Sequence, residues 1–138
     1  MTTFRIYRGI ALNEGETINT DALGCSWSLD EVYASNHGKM IADARNKDGY
    51  VLIYADINES VIDWSNTLYA METRNNEFEV VLNGSEITAK VYYSELDSIE
   101  SGEVFTGQSA SESDFEDYCN SYDGDVTKEN FISLANEF

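Results

Sequence analysis

The sequence predicts an α+β fold in which most strands are antiparallel and a few helices flank them. Two apolar runs, residues 50–55 and 87–93, have the β-branched and aromatic content of strands. An Asn-Gly turn dipeptide at residues 83–84 separates the second run from a third strand-like segment, residues 77–82. Helical patterns do not alternate regularly with these segments, which argues against a parallel α/β sheet.

Length and composition predict one folded domain. The chain has 138 residues, of which 42% are hydrophobic and 12% are aromatic. This length suits a single hydrophobic core and is short for two. Within the domain, we expect residues 1–93 to form the main body and residues 94–138 to form an acidic C-terminal segment.

The net charge of −18 restricts the class of partner. Residues 91–138 hold 12 of the 26 acidic residues but only one of the eight basic residues, Lys128. Nucleic acids and anionic membranes are bound through Lys and Arg, so we expect neither as a direct partner. The charge favours a basic protein as partner.

Cysteine usage and the start of the chain predict a cytoplasmic protein. Cys25 and Cys119 lie far apart without a Cys-x-x-Cys spacing, so we expect reduced thiols and no metal site. The first residues lack the apolar stretch of a secretory signal. No window approaches the roughly 20 apolar residues of a membrane-spanning helix.

The N-terminal part of the chain predicts two strands and a helix. Residues 4–8 alternate as a strand, and residues 25–28 form a short strand or strand end. Ser28, followed three positions later by Glu31, is typical of a capped helix start. We expect the apolar stripe of this helix to be weakened in its middle by Gly38 and to comprise Val32, Tyr33, Met40, Ile41 and Ala44.

The remaining elements follow in order. Residues 47–49 predict a turn before the strand at 50–55, and residues 58–70 are ambiguous between a short helix and a loop. After the strands at 77–82 and 87–93, residues 108–114 predict a loop or linker. Residues 125–138 predict a terminal helix, capped by Thr127 or Asp125, with helical spacing of Phe131, Leu134 and Phe138.

Two acidic residues, Glu77 and Glu79, are separated by one residue on the predicted strand at 77–82. Strand alternation puts Glu77 and Glu79 on one face and Phe78, Val80 and Leu82 on the other, towards a core. Neighbouring carboxylates disfavour each other's ionisation. Such a pair indicates acid–base or electrostatic chemistry, and the alternative interpretation is a solvated edge-strand face.

Three short motifs occur in a distinctive order: Tyr7-Arg8-Gly9, Ser26-Trp27-Ser28 and Glu77-Phe78-Glu79. Together they resemble the Arg…Ser-x-Ser…Glu-x-Glu signature of mono-ADP-ribosyltransferases of the cholera-toxin-like clade. The resemblance covers residues 1–93, and the acidic segment falls outside it. The chain departs from the family at Trp27, where the family usually has Thr.

The resemblance implies a split β-sandwich around a cleft for NAD, the co-substrate. It implies that Arg8 and Gly9 bind NAD, because a guanidinium pairs with phosphate in a fork geometry. It also implies that Ser26 orients the catalytic carboxylate and that Ser28 supports the same region. The alternative for Arg8 is a surface arginine that is paired with an acidic residue. The alternative for Ser28 is that it serves only as a helix cap.

The two glutamates take different roles by the same resemblance. Glu79 would stabilise the oxocarbenium charge that develops on the ribose as nicotinamide leaves. Glu77 would face the acceptor, and Glu at this position accompanies arginine acceptors in the family. Tyr33 and Tyr54 are candidates to stack on nicotinamide, with core packing as the alternative. His37 is expected to be a surface or hydrogen-bond-satisfied residue. Arg74 is expected to have a surface role in a loop, with contact to the acceptor or cofactor as the alternative.

These observations predict an NAD-dependent mono-ADP-ribosyltransferase that modifies an arginine of an intracellular, basic target protein. By analogy, the compact size predicts an effector acting where it is made, such as a phage-encoded modifier of host machinery. One alternative is an acidic inhibitor or nucleic-acid mimic that blocks a basic groove without catalysis. A transferase fold retained only as a scaffold is the other.

Overall fold

The computed structural model describes residues 3–110 and 121–138. Its described elements are six strands, a 3₁₀ turn at Glu59–Val61 and three helices. The strands are β1 (Phe4–Leu12), β2 (Ser26–Ser28), β3 (Gly49–Ile57), β4 (Glu79–Val81), β5 (Glu86–Ser94) and β6 (Val104–Gln108). The helices are α1 (Glu31–Ala44), α2 (Trp64–Thr73) and α3 (Lys128–Ala135).

All six strands belong to one antiparallel sheet with the order β4-β2-β1-β3-β5-β6. The prediction of an α+β fold with antiparallel strands is therefore confirmed. The sheet brings the three motif-bearing strands together, because β2 lies between β1 and β4.

Strand register decides which motif residues share a face. Tyr7 on β1 lies opposite Ser28 on β2, and Ser28 lies opposite Glu79 on β4. Residues two apart on a strand point to the same side, so Ser26 shares this face. Among the described residues, Tyr7–Ser28 is the only register pair between β1 and β2. The two strands thus separate beyond that pair.

The main core lies on the opposite face of the sheet. Ile6, Trp27 and Val80 are buried there, and Phe131 of α3 packs edge-on against Phe4 with ring centroids 5.4 Å apart. Trp27 donates its indole N–H to the Gly24 carbonyl oxygen at 2.8 Å. Trp27, which departs from the Ser-Thr-Ser pattern of the resemblance, is accordingly a core residue.

Helix α1 packs on the face that carries the motif residues, and it does so at close range. A Cβ at Gly9 would lie 2.6 Å from the Ala34 carbonyl oxygen and 2.7 Å from the Gly38 Cα. The two glycines therefore allow the helix to approach β1 backbone to backbone. The buried positions of α1 are Ala34, Gly38 and Ala42, which are spaced four residues apart.

Two predictions for α1 were wrong. Its buried face consists of small residues, whereas Val32 and Met40 of the predicted apolar stripe are 64% and 56% exposed. Close packing on Gly9 leaves no space for large side chains on the buried face. The N-cap is Asp30, whose carboxylate accepts from the Val32 N–H, and not Ser28.

The predicted strand at 77–82 is shorter in the structure. Strand β4 begins at Glu79, and residues 75–78 form a turn in which Phe78 has the left-handed φ of 51°. The prediction that strand alternation gives Glu77 and Glu79 a common face was therefore wrong. The turn is held to the β2–α1 connection by a hydrogen bond from the Leu29 N–H to the Phe78 carbonyl oxygen.

The acidic C-terminal segment contributes two elements to this body. Strand β6, which was not predicted, pairs with β5 at the sheet edge, and α3 packs against the main core. Of the two predicted caps of α3, Thr127 and Asp125, the N-cap is Thr127, which forms a reciprocal capping box with Asn130. Residues 111–114 of the predicted loop, and Cys119, lie outside the described residues.

Candidate active site

A hydrogen bond between Ser26 and Glu79 joins the second motif to the third. The Ser26 hydroxyl donates to Glu79 Oε2 at 2.6 Å. Register explains the contact, because Glu79 is diagonal to Ser26 across the β2–β4 ladder. The Glu79 side chain is only 12% exposed. The site therefore contains a carboxylate of fixed orientation with little access to solvent.

Arg74 binds the other oxygen of the same carboxylate. Its Nη2 lies 2.7 Å and its Nε 3.1 Å from Glu79 Oε1. The same Nε lies 3.2 Å from Glu77 Oε2. One guanidinium thus contacts both glutamates and offsets the repulsion between them. The prediction of a surface role for Arg74 was wrong.

Glu77 reaches the site from the turn before β4. The Tyr33 hydroxyl donates to Glu77 Oε1 at 3.0 Å, opposite the contact with Arg74. The Glu77 backbone is held as well, since the Ser28 hydroxyl donates to its carbonyl oxygen at 2.8 Å. These contacts bring the two carboxylates together without the strand alternation that was expected to do so.

Ser28 is a buried structural residue of the site. Besides its bond to the Glu77 carbonyl, its Oγ accepts from the Asp30 N–H at 3.0 Å. Both bonds are to backbone groups, and they join β2, the start of α1 and the turn that carries Glu77. Ser28 thus fixes the backbone around the two glutamates.

Tyr33 and His37 project from α1 beside the two carboxylates. Their rings stack at 6.0 Å between centroids with an interplanar angle of 16°. Burial and the hydrogen bond to Glu77 raise the pKa of the Tyr33 phenol to about 12. Tyr33 is therefore a neutral hydrogen-bond donor at physiological pH. It lines a cavity and lies outside both core clusters, so core packing is not its role.

Arg8 lies where β1 and β2 separate. Its Nη1 donates to the Ser26 carbonyl oxygen at 2.6 Å. Gly24 allows this position of the guanidinium, because a Cβ there would lie 2.4 Å from Arg8 Cζ, and its φ is 99°. Arg8 thus contacts the backbone of the same serine whose hydroxyl binds Glu79.

The motif residues surround one small cavity of about 160 Å³. We call it the carboxylate cavity. It is lined by all seven predicted site residues and by Tyr7, His37, Trp27 and Ala34, the seven being Arg8, Gly9, Ser26, Ser28, Tyr33, Glu77 and Glu79. The three motifs, which are remote in sequence, thus meet around one cavity.

A larger cavity of about 750 Å³ adjoins the first one. The two share Arg8, Gly9 and His37 in their linings. We call the larger one the basic cavity, because Arg45 and Lys47 also line it, with Glu16 as its acidic residue. Lys47 pairs with Glu16 at 3.2 Å between Nζ and Oε1. Three of the chain's eight basic residues, Arg8, Arg45 and Lys47, thus line one cavity.

Sequence reasoning missed Arg45 and Lys47, and it did not predict that Arg74 contacts both glutamates. For Arg45 a signal exists, since His37 and Ile41 on α1 and Arg45 at its C-cap are four residues apart, and all three line the basic cavity. Arg74 lies neither in a strand nor inside a helix, so no periodic pattern predicts the direction of its side chain. It meets the glutamates because residues 75–78 form a turn between α2 and β4.

Two other residues lie away from the cavities. Arg5 forms a two-bond ion pair with exposed Asp56, as expected of a surface residue. Tyr54 contacts Tyr7, Tyr92 and the Arg5 guanidinium, and it lines neither cavity. Tyr54 is therefore not placed to stack on a ligand of the carboxylate cavity.

Over residues 3–110 and 121–138, no three His, Cys, Asp or Glu side chains are grouped to hold a metal ion. In the same part of the chain, no helix has the length and apolar character needed to span a membrane.

Comparisons of the chain with protein-family models, with curated proteins and with solved structures found no match.

Proposed function

We propose that the chain is an NAD-dependent mono-ADP-ribosyltransferase that modifies arginine. The observation that carries the proposal is the hydrogen bond of Ser26 to Glu79, in a cavity that Arg8 and Glu77 also line. Ser26, Glu79 and Arg8 serve the cleavage of the bond between nicotinamide and ribose, and Glu77 serves the transfer to arginine.

NAD supplies a glycosidic bond whose cleavage leaves positive charge on the ribose. Glu79 stabilises that charge with a carboxylate whose two oxygens accept hydrogen bonds from Ser26 and Arg74. A preorganised charge in a site with little water stabilises the transition state without reorganisation. Tyr33 contributes a neutral hydroxyl and an aromatic ring at the same cavity.

The size and charge of the two cavities support a dinucleotide ligand. The basic cavity falls within the roughly 300–1,000 Å³ that ligand pockets occupy, and it adjoins the carboxylate cavity at Arg8. Although the net charge of the chain is −18, three basic side chains line this cavity, which favours an anionic ligand such as a diphosphate. We assign the nicotinamide ribose to the carboxylate cavity and the adenosine diphosphate to the basic cavity.

The split β-sandwich around an NAD cleft belongs to the same proposal. Strands β1 and β2 separate after Tyr7–Ser28, and Arg8 contacts the Ser26 carbonyl at that point. This separation gives the two cavities their common border. Glu77, 33% exposed at the rim, is the carboxylate available to an incoming guanidinium.

Labelled NAD and agmatine, a small guanidine, test the proposal directly. The wild-type protein should transfer ADP-ribose to agmatine, and Glu79→Gln should abolish transfer with unchanged circular dichroism and thermal unfolding. Glu86→Gln is the matched control, since Glu86 is an exposed strand glutamate that lines neither cavity. Full activity of Glu79→Gln, or no transfer by the wild type, contradicts the proposal.

The second candidate is an acidic inhibitor that occupies a basic groove of its target, and the net charge favours it. The two functions respond differently to one variant. An inhibitor keeps its effect on the target after Glu79→Gln, and its binding weakens steeply as salt screens the charges. A transferase loses its effect with the same substitution. Under either function, we propose a basic target protein and action in the cytoplasm, and the phage-type effector remains an analogy.

A further inference from the structure

Arg74 brings a guanidinium into contact with both glutamates of the candidate site. Transfer to arginine requires a guanidinium beside the carboxylate that accepts its proton. The Arg74 guanidinium lies 3.2 Å from Glu77 Oε2 and 2.7 Å from Glu79 Oε1. No other arginine of residues 3–110 is within ion-pair distance of either glutamate.

Arg74 is partly open to solvent. Its side chain is 36% exposed, and it comes from the C-cap residue of α2. Its backbone N–H is bound to the Ala70 carbonyl oxygen at 2.7 Å, so any change of position is confined to the side chain. Ser26 binds Glu79 Oε2 and Arg74 binds Oε1, so the two contacts do not compete for one oxygen.

We propose that Arg74 is a self-modification site, at which the chain transfers ADP-ribose to its own guanidinium in cis. This inference rests on the proposed function, because it uses the same NAD and the same two glutamates. An external acceptor arginine then competes with Arg74 for Glu77.

The step balances without a further reactant. The bond between ribose C1′ and the nicotinamide nitrogen breaks, and its electron pair leaves with neutral nicotinamide. A guanidinium nitrogen of Arg74 forms the new bond to C1′, and the proton that it loses passes to the Glu77 carboxylate and then to water. One NAD and one arginine thus give ADP-ribosyl-arginine, nicotinamide and one proton.

The test is to incubate the whole chain with NAD and no added acceptor, and then to measure intact mass and map the modified peptide. We expect a gain of one ADP-ribose, located on Arg74, at a rate that does not depend on protein concentration. In a mixture with a tagged Glu79→Gln chain, only the untagged wild-type chain should be modified.

Arg5→Lys is the matched control for Arg74→Lys. Arg5 is also paired with a carboxylate and is more exposed, at 49%, but it lines neither cavity. Self-modification should persist in Arg5→Lys and disappear in Arg74→Lys. Peptide mapping of the wild type needs no variant and gives a result even if Arg74→Lys fails to fold.

The outcomes separate the two proposals. Transfer to agmatine together with an unmodified Arg74, or with ADP-ribose spread over Arg5 and Arg45, overturns the self-modification and leaves the transferase standing. Modification of the tagged Glu79→Gln chain overturns the cis step. A failure to modify either agmatine or the chain overturns both proposals.

Discussion

Ser26 and Glu79 are 53 positions apart in sequence, yet their side chains meet at 2.6 Å across two neighbouring strands. The contact depends on register, since Glu79 lies opposite Ser28 and therefore diagonal to Ser26. A shift of one residue would turn Glu79 into the main core. The same register buries Trp27 and Val80 on the opposite face, so core packing holds the hydroxyl and the carboxylate in place.

Replacement of Ser26 by Ala should lower the rate of transfer while leaving the fold intact. Hydrogen bonds to charged groups contribute about 1.5–3 kcal/mol, which corresponds to roughly a 10- to 100-fold loss in kcat/KM. Transfer of labelled ADP-ribose to agmatine measures the loss. Ser60→Ala serves as control, because Ser60 is exposed and lines neither cavity. Equal activity of both variants would show that Ser26 does not orient Glu79 for catalysis.

Glu77→Gln should separate cleavage of NAD from transfer. The amide can no longer accept the proton of an acceptor guanidinium, so transfer to agmatine should fall at least about 100-fold, as for loss of a general base. Release of nicotinamide to water should persist, because Glu79 keeps its bonds to Ser26 and Arg74. Parallel assays of nicotinamide release and agmatine labelling measure the two steps. A parallel fall in both would contradict the division of roles.

Gly9→Ala should destabilise the protein. The new methyl group would lie 2.6–2.9 Å from three backbone atoms of α1, none of which is a flexible side-chain end. Overpacking of this kind costs about 1–3 kcal/mol. Urea unfolding measures the free energy, with Asn36→Ala on the exposed side of the same helix as control. An unchanged free energy of unfolding would mean that α1 moves away from β1 easily.

Arg45→Gln and Lys47→Gln should raise the KM for NAD with little change in kcat, because both residues line the basic cavity away from the glutamates. A screened surface charge pair contributes up to about 1 kcal/mol, or about a fivefold effect on KM for each residue. Lys39→Gln is the control, since exposed Lys39 is also on α1 but lines neither cavity. Steady-state kinetics with NAD as the varied substrate would refute the assignment if all three variants had the same KM.

The Tyr33 hydroxyl should make stability depend on pH in the alkaline range. Burial and the bond to Glu77 raise its pKa to about 12, above the ordinary value of 10. The folded chain therefore holds this proton more tightly than the unfolded chain. The contribution is complete below pH 10 and is lost as the pH rises to about 12.

Comparison with Tyr33→Phe isolates this effect. The difference in free energy of unfolding between wild type and Tyr33→Phe should change in favour of the variant as the pH rises from about 10 to about 12. Tyr93→Phe, which removes an exposed phenol, is the control. A difference that does not vary with pH would mean that the Tyr33 proton is not held by the fold.

Much of the fold follows from local sequence signals. Apolar runs marked β3 and β5, and Thr127 with the spacing of Phe131 and Leu134 marked α3. Strand β6 was not predicted, because its strand-forming residues, Val104, Phe105 and Thr106, are few and lie in a stretch rich in Ser, Gly and acidic residues. It becomes a strand by pairing with β5, and such pairing is a tertiary property.

The sequence by itself determined the motif residues of the candidate site, namely an arginine, two serines and two glutamates in a recognisable order. Only the tertiary structure decided how they meet, and it did so against local expectation for Glu77. That residue is held by Arg74, Tyr33 and Ser28 and not by strand alternation. The physical reason is that periodicity describes the direction of a side chain within its own element. Contacts such as that of Arg74 with both glutamates depend on a left-handed Phe78 and on neighbouring strands, which no local pattern encodes.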